Sequence, residues 1–112
     1  MQENGLPDSA LLAVIYEGRS MKAEHFNGLT PAEAERLALL LEEMGEAQQI
    51  IGKILRHGYE SYHPDNQYVT NRQLLEKELG DVMAAADMMA SAEDVDVVRL
   101  AQARAAKAKS IP

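Results

Sequence analysis

Apolar residues recur at helical spacing through most of the chain, and no stretch alternates cleanly for more than a few residues. Four helices are predicted. The first runs roughly from Asp8 to Glu17, between Pro7 and a stop at Gly18, and Met21–Gly28 makes an irregular or short helical connection. The second has the clearest start: Thr30 as cap, Pro31 at the first helical position and Glu33 reaching back to close a capping box. It should end near His57, before Gly58. A loop follows over Tyr59–Thr70, turning at Pro64-Asp65-Asn66. Loops this long in a small domain are often functional. The third helix starts near Thr70 or Asn71, with Gln73 closing a second box, and runs to about Ala90. Ser91-Ala92-Glu93-Asp94 should cap a fourth, which trails into Ala103–Ser110.

Acidic residues interrupt this pattern. On a wheel turned by about 100° per residue, Leu37, Leu40, Leu41, Met44, Ala47, Ile51 and Leu55 form the apolar face of the second helix. Leu39, Ile50 and Ile54 widen it, and Glu43 lies inside the widened arc with Glu46 at its edge. In the third helix the stripe is Leu74, Leu75, Leu79, Val82, Ala85, Ala86 and Met89; Glu78 falls within it and Asp81 borders it. Carboxylates beside apolar faces need a compensating charge. Within each pair the acids are one turn apart on one side of their helix. Two facing antiparallel helices would bring together four oxygen ligands, a set that selects Mg²⁺ or Mn²⁺ over Zn²⁺. The simpler account makes them solvated boundary residues paired to Lys53, Arg56 or Lys77.

Lys53 follows Glu46 by seven residues and Asn71 precedes Glu78 by seven. In an antiparallel hairpin both displacements run toward the loop, by roughly 10 Å. Lys53 and Asn71 should then stand level with each other at the loop end of the acids, a span suited to a polyphosphate.

Composition narrows the field. The 112 residues make one domain, 1–112, with 18 acidic against 11 basic side chains and a net charge of −7. That balance argues against a nucleic acid polymer as partner. No Cys is present, which excludes disulfides and thiolate chemistry. Neither a membrane span nor a secretory signal is visible, so a cytoplasmic protein is expected.

Glu42-Glu43-Met44-Gly45-Glu46 followed by Glu78-Leu79-Gly80-Asp81-Val82 resembles the ExxE…ExxD signature of the all-α nucleoside triphosphate pyrophosphohydrolases. This is the MazG-like superfamily, which also takes in dimeric dUTPases and phosphoribosyl-ATP pyrophosphohydrolases. The similarity covers about Leu37 to Met89. Gly52–Gly58, Ser61-Tyr62-His63-Pro64 and Asn71-Arg72 look like the compact single-domain members often carried by phages, although the interval from Glu46 to Glu78 is long for the family.

The resemblance implies an all-α, four-helix bundle completed by oligomerisation to a homodimer or homotetramer. It also implies cleavage of a (deoxy)nucleoside triphosphate between its α and β phosphates. Glu43, Glu46, Glu78 and Asp81 would hold Mg²⁺ or Mn²⁺, and Glu43, Glu46 or the neighbouring Glu42 would take a proton from water. Lys53 would contact the phosphate tail, with Asn71 level with it and Arg56 and Arg72 as helpers. A purine deoxynucleotide such as dGTP is favoured, because no aromatic wall like that of the dimeric dUTPases is seen. Two other readings compete: a phosphoribosyl-ATP pyrophosphohydrolase-like activity, and a non-enzymatic helical dimerisation module with a solvated acidic rim. A di-iron bundle would need two ExxH motifs, and only Glu60–His63 fits, in a loop before Pro64. His25 and His57 read as packing or capping residues.

Overall fold

The computed structural model describes residues 27–112, and every described element is an α-helix. The expected helix at Asp8–Glu17, and Met21–Phe26 of the connection after it, lie outside the described residues. Helix α1 spans Pro31–His57, α2 Asn71–Ser91 and α3 Val97–Ser110. These correspond to the second, third and fourth helices expected from the sequence.

Both capping boxes form. The Thr30 N–H donates to Glu33 Oε1 (2.8 Å) and the Glu33 N–H to Thr30 Oγ1 (3.1 Å). At the start of α2, the Thr70 N–H donates to Gln73 Oε1 (2.9 Å) and the Gln73 N–H to Thr70 Oγ1 (3.2 Å). Such reciprocal bonds satisfy donors that have no partner within the helix. Helix α1 stops at Gly58, whose φ of +92° is easy for glycine and strained for other residues.

Residues Arg36–Pro112 form one compact unit. Three contacts fix the direction of α2 against α1. Near the start of α1, Arg36 forks onto Asp94 just beyond the end of α2, through Nε–Oδ2 and Nη2–Oδ1 (2.9 Å). Midway, the acids of the two helices meet. At the far end, Asn71 Nδ2 donates to the Gly58 carbonyl (3.2 Å). The helices are therefore antiparallel.

The connection is tied rather than loose. Tyr62 and Thr70 form an antiparallel bridge, the Asn71 N–H donates to the Ser61 carbonyl (2.8 Å), and the Arg72 N–H donates to that of Tyr59 (2.9 Å). The expected turn closes with the Asn66 N–H on the His63 carbonyl (2.9 Å).

Two expectations need correction. Helix α3 begins at Val97, not at Ser91–Asp94, and its cap is Asp96, which accepts from the Val98 and Arg99 N–H groups. Ser91 still belongs to α2, and the following residues make a Schellman turn. The Asp94 N–H returns to the Met89 carbonyl (2.9 Å) and the Glu93 N–H to Ala90 (3.0 Å), with Glu93 at φ +64°. The second correction concerns the buried side of α1. Its buried residues are Ala47 and Ile50, and with Ala85 and Met89 of α2 they are the buried apolar residues of the described chain. Of the stripe centred on the wheel only Ala47 is buried, with Leu41 74% and Leu55 84% exposed, and Met83 of α2 is 66% exposed.

Candidate metal centre and loop pocket

Because the buried arc of α1 is shifted toward Ile50, the acids face the partner helix. Glu43, Glu46, Glu78 and Asp81 are all half-buried, and each offers an oxygen within 4.8 Å of the other three. The one-turn spacing places each pair, and the antiparallel hairpin brings the pairs together. Glu42 is exposed beside them and is not part of this cluster.

The charge in the cluster is only partly offset. Lys77 Nζ lies 2.7 Å from Asp81 Oδ2 and 3.7 Å from Glu78 Oε2, so one of the expected surface pairings does form. The bond to Asp81, then the charges of Asp81 and Glu78, hold the Lys77 ammonium above its usual range. One cation against four acids leaves the group negative. Burial first, and then the charges of Glu46 and Asp81, push the Glu43 carboxyl above the usual carboxylate range. Glu43 Oε1 and Glu78 Oε1 are shut away from solvent with no hydrogen-bond partner. Oxygens left in that state carry a desolvation cost that a cation would remove. The donors are all carboxylates, which fits a hard divalent ion of the Mg²⁺ or Mn²⁺ type.

Toward the loop, the last turns of α1, the loop and the start of α2 enclose a pocket of about 320 Å³. Lys53, Arg56 and Asn71 all line it, as the seven-residue spacings led one to expect for Lys53 and Asn71. Asn71 is buried, and its side-chain amide ties the two helices together through the Gly58 carbonyl. Arg72 is placed elsewhere: it pairs with Glu60 (2.8 Å) and stacks over the Tyr59 ring at 4.2 Å. His57, Ser61, Tyr62 and His63 line the pocket and were not among the sequence-derived site residues. The resemblance noted at Gly52–Gly58 and Ser61-Tyr62-His63-Pro64, together with the length of the loop, was the signal that could have suggested them.

No helix among the described residues is long and apolar enough to cross a membrane. Comparison with known proteins finds no matching family model, no matching curated protein and no matching solved structure.

Proposed function

We propose that the protein is a nucleoside triphosphate pyrophosphohydrolase of the MazG-like kind, converting a (deoxy)nucleoside triphosphate and water into the monophosphate and pyrophosphate. The observation that carries this reading is the pair of partnerless buried oxygens, Glu43 Oε1 and Glu78 Oε1, inside a cluster of four acids. Glu43, Glu46, Glu78 and Asp81 would hold Mg²⁺ or Mn²⁺. Such an ion, when bound, supplies positive charge to phosphate oxygens and acidifies a bound water.

The chain's own residues account for the rest. Glu43, Glu46 or the adjacent Glu42 takes the proton of the attacking water. The water oxygen bonds to the α-phosphorus while the bond to the α–β bridging oxygen breaks, and the electron pair leaves with pyrophosphate. Lys53, Asn71 and Arg56 receive the phosphate tail, and the two cations stabilise the charge that develops on it. A purine deoxynucleotide such as dGTP is the favoured substrate, met in the cytoplasm. The open apolar stripe on α1, with Leu41 and Leu55 largely exposed, supports completion of the bundle by a second or further copies of the chain.

The alternative, a helical dimerisation module with a solvated acidic rim, draws support from the pairing of Lys77 with Asp81. Turnover separates the two. Purified protein is screened with Mg²⁺ against the eight ordinary NTPs and dNTPs for pyrophosphate release, and the accepted substrate is then cleaved in ¹⁸O water. Label is expected in the monophosphate and none in pyrophosphate, with all activity lost in EDTA. Nucleoside diphosphate plus orthophosphate, or full turnover in chelator, would overturn the proposal.

A further inference from the structure

Among the described residues, both ion pairs that reach the four acids come from Lys77. Its ammonium donates to Asp81 Oδ2 at 2.7 Å and lies 3.7 Å from Glu78 Oε2. These are one oxygen from each acid that α2 contributes. The oxygens shut away without a partner, Glu43 Oε1 and Glu78 Oε1, are different ones. With its own side chain 63% exposed, Lys77 holds the accessible edge of the cluster.

An ordinary helix-surface pair does not account for this placement. Lys77 precedes Asp81 by four residues, and an i,i+4 pair with the cation first stabilises a helix less than the reverse order. The favoured order would need an acid at position 73, where the chain has Gln73, engaged in the capping box. Nor does the helix dipole call for a cation here, because Lys77 lies in neither the first nor the last turn of Asn71–Ser91. What the position supplies is contact with the acids. The bond to Asp81, and then the charges of Asp81, Glu78 and Glu46, all favour the ammonium form.

A divalent ion held by Asp81 and Glu78 needs the same edge. An ammonium and a divalent ion on one carboxylate repel with twice the energy of two unit charges at that spacing. Sharing Asp81 is therefore costly. Lys77 stands on an exposed and flexible stem, so it can leave without disturbing the packing of α1 on α2.

We propose that Lys77 is a built-in competitor of the metal centre: its ammonium contends with the divalent ion for Asp81 and Glu78, and so sets the ion concentration at which the centre fills. The ion itself rests on the proposed function. The competition is a property of Lys77.

Calorimetric titration of the full chain with Mg²⁺, without nucleotide, tests this. Lys77→Met should tighten Mg²⁺ binding by about threefold to fivefold, the upper part of what an exposed ion pair is worth. Lys77→Arg keeps the charge and presents a fork that can take both Asp81 oxygens, so it should weaken binding by about twofold. Glu76→Gln, at the exposed neighbouring position, changes the charge of the same turn by one and leaves the Lys77–Asp81 bond in place. It should shift affinity by less than about twofold. In EDTA, thermal melts should show Lys77→Met less stable than wild type, opposite in sign to Glu78→Gln.

Equal Mg²⁺ affinity in Lys77→Met and wild type would overturn the inference and leave the metal centre standing. So would equal and opposite shifts in Lys77→Met and Glu76→Gln, which would mean a diffuse field, or binding by Lys77→Arg as tight as by Lys77→Met. An unchanged melt of Lys77→Met in EDTA would show that the ammonium does not relieve the acids, and would also overturn it. No Mg²⁺ binding in any of these proteins would remove the metal centre, and the proposed function with it.

Discussion

Replacing Glu78 by glutamine keeps the shape of the side chain and removes one charge from the acidic cluster. Its carboxylate is 12% exposed, with Oε1 buried and unpartnered. Glu46 and Asp81 each place an oxygen within 4.8 Å of it. Two unit charges at that distance repel by about 0.9 kcal/mol in water and about 3.5 kcal/mol at an effective dielectric of 20. Glu43 enters the sum least, because its raised pKa lets it keep a proton more readily. Lys77, 3.7 Å from Oε2, offsets part of the repulsion, and the 37% exposure of Asp81 holds the total near the aqueous end. Glu78→Gln should therefore stabilise the metal-free protein by about 1 kcal/mol, raising Tm by about 4 °C in a domain of this size. Added Mg²⁺ should invert the order. At a hundred times its Kd the ion stabilises wild type by about 2.7 kcal/mol, and the variant, short of one ligand, gains less. The assay is a pair of thermal melts, in EDTA and in a magnesium titration, alongside the rate of pyrophosphate release, which should vanish in the variant. Equal responses to Mg²⁺, or a less stable variant in EDTA, would refute the metal assignment.

Two further predictions concern stability. The folded-state pKa of Glu43 is raised, so between 4.5 and that raised value the unfolded chain ionises while the folded one holds its proton. Metal-free stability should accordingly fall as pH rises from 4.5 toward neutrality, and Glu43→Gln should flatten the slope in urea melts; a parallel slope in the variant would contradict this. Glu93 holds the left-handed position of the Schellman turn at φ +64°, a conformation that costs an L residue about 1 kcal/mol. Glu93→Gly should therefore raise the urea midpoint by the equivalent of about 0.5 kcal/mol once glycine's extra chain entropy is allowed for, and an unchanged or lowered midpoint would count against it.

The sequence by itself determined whatever depends on neighbours a few residues away. Thr30 with Glu33 and Thr70 with Gln73 announce two helix starts, because a capping box closes within one turn. The acids at 43, 46, 78 and 81, and the displacement of Lys53 and Asn71 toward the loop, follow from helical pitch. Tertiary structure decided what helical periodicity leaves open. The apolar arc of α1 is too wide to reveal which part the chain buries against itself, and the part chosen runs through Ala47 and Ile50. That choice turns Glu43 and Glu46 onto Glu78 and Asp81, and leaves Leu41 and Leu55 outside. The start of α3 moved to Asp96 because a Schellman turn consumed the apparent cap, with a glutamate where glycine would have signalled it. His57 and His63 joined Lys53 around one pocket only because backbone bonds from Asn71 to Ser61 and Arg72 to Tyr59 fold the loop back across the helix ends. Bonds between residues ten or more apart depend on where both helices lie, and no local spacing encodes that.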